Sequence, residues 1–103
     1  MKLGITAIIR DSAPWVAEWV AFHSVVGFEK FYIYLHKCKD RTGEQFESLK
    51  RNLDITIHKV PDDLKNAQIA AYNHAYAEYN HAVDWMAFID RDEFLYPSQG
   101  GQL

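Results

Sequence analysis

The chain has 103 residues, 49% hydrophobic and 15% aromatic, with 11 basic against 14 acidic side chains for a net charge of −3. That composition excludes an intrinsically disordered segment and points to one domain, residues 1–103, around one core. Scattered rather than clustered Lys and Arg argue against a grip on nucleic acid, the lone Cys38 cannot form an internal disulfide, and no apolar run approaches the roughly 20 residues of a membrane span.

The N-terminal stretch Leu3 to Ile9 is almost continuously apolar and Ile-rich, the pattern of a strand covered on both faces of a parallel sheet. It is too short for a signal peptide and is followed at once by Arg10-Asp11. With the single cysteine, this places the protein in a reducing, aqueous compartment, the cytoplasm. Asp11-Ser12-Ala13-Pro14 supplies helix-start chemistry, a capping carboxylate or hydroxyl followed by Pro in the first turn. The helix that follows stops at Gly27, and Trp15, Trp19, Phe22, His23 and Val26 form its apolar stripe.

Phe28 to Tyr34 reads as the second strand and Leu35 to Gly43 as the loop leaving it. A short helix from about Glu44 to Arg51 leads to a third strand, Asp54 to Val60, and a turn at Pro61-Asp62-Asp63. An Ala-rich helix from about Lys65 to Ala82 and a fourth strand, Trp85 to Ile89, complete the order βαβαβαβ. Connections of that length hold crossover helices, so the expected fold is α/β with a mainly parallel, doubly wound sheet.

In such sheets ligands bind outside the carboxyl ends of the strands, which singles out the loops Arg10–Pro14, Leu35–Gly43, Pro61–Lys65 and Asp90–Pro97. Asp90 and Asp92 follow the fourth strand two residues apart, and in an extended chain their carboxylates point to the same side. Two such groups repel unless a cation lies between them. Mg²⁺ or Mn²⁺ prefers oxygen ligands and takes the rest of its shell from a diphosphate. The plainer alternative is a solvated acidic loop.

Five pieces carry a resemblance to the family-2-like glycosyltransferases related to family 92: Arg10-Asp11-Ser12-Ala13-Pro14; Glu18-Trp19-Val20-Ala21-Phe22-His23; Gly27 to Tyr34; Gln68 with Ala71-Tyr72-Asn73-His74-Ala75; and Trp85 to Leu95, including Phe88-Ile89-Asp90-Arg91-Asp92-Glu93-Phe94. The resemblance covers nearly the whole chain in order. It implies a Rossmann-like, A-type fold, of which the chain is the nucleotide-sugar-binding portion. It also implies Asp92 as direct metal ligand, Asp90 on the metal or the ribose, Glu93 as a weaker candidate, Asp11 by the base, and Gln68 and Asn73 near the nucleotide or its phosphates. Asp11 reads equally well as a helix cap, and Asn73 as a solvated side chain.

The departures from the family pattern are specific. Leu35 stands where an Asp commonly follows the second strand, leaving Asp40 as the loop's candidate nucleotide contact; Ser12 replaces a common Glu, and Tyr72 a basic residue. The implied ligands are a nucleoside-diphosphate sugar with Mn²⁺ or Mg²⁺, and a carbohydrate or glycoconjugate acceptor. No residue can be named as the catalytic base, so the reading is of a fragment, or of a half completed by a second chain or copy; the alternative is a non-catalytic nucleotide-binding or assembly module. A phosphatase-like hydrolase is disfavoured, because its Asp-x-Asp would follow the first strand rather than the fourth.

The remaining candidates have structural readings. His23 belongs to the core. His74 and His81 lie roughly 10 Å apart along one helix, too far to share an ion. Tyr72, Tyr76 and Tyr79 read as packing residues, and the lysines flanking Cys38 would lower its pKa, although no activating His-Asp arrangement accompanies it.

Overall fold

The computed structural model describes residues 1–90, 92 and 93. In them, strands β1 (Leu3–Ile9), β2 (Phe28–His36), β3 (Asp54–Val60) and β4 (Trp85–Phe88) form an all-parallel sheet in the order β3-β2-β1-β4. The connections carry helices α1 (Val16–Val26), α2 (Thr42–Leu49) and α3 (Ala67–Tyr79), with a 3-10 turn at Ala13–Trp15 ahead of α1. This is the doubly wound arrangement expected.

Strand alternation divides the core into two layers. On one face Ile5, Ala7 and Ile9 of β1, Phe31, Ile33 and Leu35 of β2 and Ile55 of β3 meet Val16, Trp19 and Val20 of α1 and Phe46 of α2. On the other, Tyr32 and Tyr34 of β2 meet Ala71 and Ala75 of α3. Ala67, Ala71 and Ala75 recur every four residues and are all buried, so the helix lies close on the two tyrosines. Burying side chains the size of Phe46 or Ile5 stabilises the fold by about 1.5–3 kcal/mol each, so the larger share comes from the α1/α2 layer.

Local chemistry explains the ends of the elements. Gly27 ends α1 at φ 122°, a backbone setting that L side chains rarely adopt, and its N–H satisfies the carbonyls of His23 and Ser24. β2 runs two residues beyond Tyr34 because Leu35 and His36 still pair with Lys59 and Val60, so the expected loop begins at Lys37. α3 is shorter than Lys65 to Ala82: Asn66 adopts the left-handed region at its start and Asn80 caps its end. Trp15 departs from the expected stripe, since the 3-10 turn rotates it outward to 60% exposure while Trp19, His23 and Val26 are buried. His23 is a core residue as expected. Its Nδ1–H donates to the Trp19 carbonyl at 2.9 Å, and burial holds its pKa below the usual imidazole range.

Candidate functional site

The sheet order places a switch point between β1 and β4. The chain leaves β1 toward β2 on one side, while β4 arrives on the other, the kind of divergence at which open α/β sheets bind ligands. Asp90 lies at this edge. The Ile89 N–H continues the ladder past β4 by donating to the Thr6 carbonyl at 3.1 Å, so the acidic segment starts beside the central strand.

Beyond Ile89 the chain does not stay extended. The Glu93 N–H donates to the Asp90 carbonyl at 3.1 Å, and the Glu93 carboxylate accepts the Asp90 N–H at 2.7 Å. Asp90 and Glu93 therefore close a turn reciprocally, which replaces the strand-parity expectation for Asp90 and Asp92. Arg91 and residues 94–97 of the expected loop lie outside the described residues. Glu93 is committed to holding the turn. Among the described residues no protein group engages the carboxylates of Asp90 or Asp92, and both residues are exposed.

Two neighbours anchor this turn. The indole Nε1–H of Trp19 donates to the Glu93 carbonyl at 3.1 Å, tying the turn to α1. From α3, Tyr72 sets its ring 4.9 Å from that of Phe88 and its hydroxyl 3.5 Å from the Ile89 carbonyl. Burial raises the Tyr72 phenol above its usual pKa, and the charges of Asp90 and Glu93 add to the effect. Tyr72 is thus a packing residue that also borders the acidic turn. Sequence reasoning assigned neither anchor to the site; the only available signal was their occurrence in the two family motifs.

On the other side of β1, Asp11 and Asp40 organise the loops. One oxygen of Asp11 accepts the N–H groups of Lys39 at 2.6 Å and Asp40 at 3.1 Å. Asp40 accepts the Thr42 N–H at 2.9 Å, the Thr42 hydroxyl, and the Ala13 N–H at 3.2 Å. The capping work expected of Asp11 or Ser12 falls instead to Asp40, while the Ser12 hydroxyl turns back to the Arg10 carbonyl at 2.6 Å. The Thr42 hydroxyl, with the backbone amides, holds the Asp40 carboxyl below the ordinary carboxylate range. Cys38 joins the brace, its Sγ 3.3 Å from the Ile9 carbonyl, and burial pushes its thiol up despite the flanking lysines.

Two recesses open along the same edge. A cleft of about 860 Å³ lies between α2 and the β2–β3 rim, with Leu35, Ile57 and Val60 apolar and Lys37, Arg51 and Lys59 basic. A smaller groove of about 340 Å³ brings Gln68 together with Arg10, His36 and Asn66. Asn73 is exposed, set about 200° around α3 from both Ala71 and Ala75, and so faces away from the sheet. His81 is exposed, and Tyr79 stacks on Tyr32 at 4.2 Å, whereas Tyr76 is largely solvated. No three His, Cys, Asp or Glu side chains converge on a cation position among the described residues. No helix among them is long and apolar enough to cross a membrane.

A parallel sheet with helices on both faces defines a Rossmann-like α/β domain, with the acidic turn at its switch point. Within that class, the chain belongs to glycosyltransferase family 92, whose model matches residues 5–103. It is 31% identical over 100 residues to a family 92 glycosyltransferase of Ricinus communis, covering 96% of this chain and 18% of that protein. A family 92 glycosyltransferase of Arabidopsis thaliana is 29% identical over 96 residues, 92% of this chain and 16% of its own length. A galactan beta-1,4-galactosyltransferase of Arabidopsis thaliana is 30% identical over 89 residues, 79% of this chain and 17% of its own length. The chain therefore spans less than a fifth of these relatives. No solved structure matches it.

Proposed function

We propose that the chain is the donor-binding portion of an A-type, family-2-like glycosyltransferase that moves a sugar from a nucleoside-diphosphate donor to a carbohydrate or glycoconjugate acceptor. The observation that carries this reading is the acidic turn beside β1, at the switch point, in a chain of family 92. Asp11 and Asp40 serve the nucleotide side by fixing the loop amides after β1 and β2. Gln68 shares its groove with Arg10, whose positive charge suits the phosphates of such a donor. The relative named for galactan galactosyl transfer makes a galactosyl donor the first to test.

The donor set of the turn fits a hard divalent ion. Asp90 and Asp92 offer carboxylate oxygens without competing protein partners among the described residues, and a diphosphate completes such a shell. Bound there, Mn²⁺ or Mg²⁺ supplies charge stabilisation for the departing nucleoside diphosphate. Trp19, Glu93 and Tyr72 keep the two carboxylates at the rim of the sheet. Transfer also needs a base for the acceptor hydroxyl.

The test is calorimetric titration of nucleoside diphosphates with and without Mn²⁺ on the wild-type chain and on Asp92→Ala. Binding is expected to require Mn²⁺ and to weaken roughly tenfold or more in the variant, about 1.4 kcal/mol. Equal affinity in the two proteins would remove the metal reading and favour a non-catalytic binding module.

A further inference from the structure

Under α3 lies a cluster of polar aromatic side chains that the acidic turn does not use. Tyr34 of β2 and His58 of β3 rise from the sheet to meet His74 and Tyr79 of α3. The Tyr34 hydroxyl lies 2.6 Å from His74 Nδ1, and His58 Nε2 lies 2.5 Å from the Tyr79 hydroxyl. Each imidazole therefore bonds to a phenol of the opposite layer. The two imidazole rings stand 5.0 Å apart, and the Tyr34 ring stacks on His58 at 4.9 Å. The buried residues that α3 itself sets against the sheet are alanines, which contribute little apolar area. The reciprocal bonds add to the packing of Tyr72 and Tyr79 in holding the helix on the sheet.

We propose that this cluster is a pH-operated latch: neutral His58 and His74 hold α3 on the sheet, and protonation of both loosens the helix together with Tyr72 and Gln68, which it carries to the carboxyl edge. Two imidazolium rings at this spacing repel, and the half-buried His58 is the costlier of the two to charge. The other ionisable groups facing the pair are Tyr32 and Tyr34 on β2 and Glu78 and Tyr79 on α3, while Lys59, next to His58 on β3, takes the opposite strand parity; Glu78 supplies the opposing negative charge. Burial first, and then the His74 charge, holds His58 below its ordinary 6.5. A depressed imidazole stabilises the closed form fully above that value and loses its effect as pH falls below it. One extra proton on the loosened form shifts the balance by up to about tenfold per pH unit.

The experiment is amide hydrogen exchange on the full chain at pH 7.5, 6.5 and 5.0, expressed as protection factors, with the imidazole titrations followed by NMR. Protection at residues 70–76 should fall roughly tenfold or more between pH 6.5 and 5.0, while the amides of β1 and β2 change less than about threefold. His74→Gln, which removes one of the two charges, should flatten the α3 response. The latch is overturned by constant α3 protection, by helix and strand amides falling together, or by a full response in His74→Gln. Should that variant fail to fold, wild-type His58 titrating at or above 6.5 overturns it as well.

Discussion

Replacing Trp19 with Phe tests whether the acidic turn is held by the core or merely lies near it. The indole is 2% exposed, its ring lies 4.8 Å from His23 and 6.2 Å from Phe31, and its N–H reaches the Glu93 carbonyl. Loss of that hydrogen bond costs about 0.5–1.5 kcal/mol, toward the lower end because Glu93 is exposed and water can replace the donor. Full truncation of a buried Trp costs about 3–5 kcal/mol; Phe keeps one ring, so the packing loss is roughly 1–2 kcal/mol. A total of about 2–3 kcal/mol corresponds to a Tm lowered by roughly 10–20 °C in a chain of this size. Circular dichroism measures that change, and hydrogen exchange at the Glu93 amide, which donates to the Asp90 carbonyl, measures the turn. Protection there should fall roughly two- to threefold through local opening, as loss of a hydrogen bond of that strength implies. A Tm within roughly 4 °C of wild type and unchanged Glu93 exchange would refute the tether.

Three further outcomes follow from single contacts. A Cβ on Gly4 would stand 2.8 Å from Cγ1 of Val83 and 3.4 Å from Cε2 of Tyr32; because Val83 is β-branched and stiff, Gly4→Ala should lower stability by about 1–3 kcal/mol in urea titrations. Asp40→Ala removes the cap shared by Ala13 and Thr42 and should cost about 1 kcal/mol. Since the Asp40 pKa is depressed, its contribution is present above 3.8 and disappears as pH falls through the lower folded value, so the difference from wild type should shrink between pH 5 and pH 3. Cys38, its thiol raised by burial, should react with a disulfide reagent at pH 7.4 roughly tenfold more slowly than a free thiol; equal rates would contradict the brace to Ile9.

The strands were legible because burial on both faces leaves nearly unbroken apolar runs: β1 and β3 have the expected bounds. The end of β2 was not, since Leu35-His36 is held by partners on β3 that no local pattern reveals. Trp15 repeats the apolar spacing of α1, yet the 3-10 turn changes the angle per residue and moves it off the stripe. At the site, the position of Asp90 at the carboxyl edge was readable from element order. The closing of Asp90 onto Glu93 was not, because it depends on a side chain folding back to a backbone amide. Nor was the cross-bracing of Asp11 and Asp40, which joins loops 28 and 29 residues apart.

The sheet order also sets when the acidic corner can come into being during synthesis. β1, β2 and β3 are sequential neighbours and can zip together from the first 60 residues, whereas Leu3 of β1 waits for Trp85, and Lys2 for Asp84, 82 residues downstream. Such distant pairing closes slowly, after the local contacts. A nascent chain emerging from the ribosome thus has its loop brace at Asp11 and Asp40 well before it has Asp90 beside Thr6. Occupancy of the corner by a ligand is then a report that the last strand has docked.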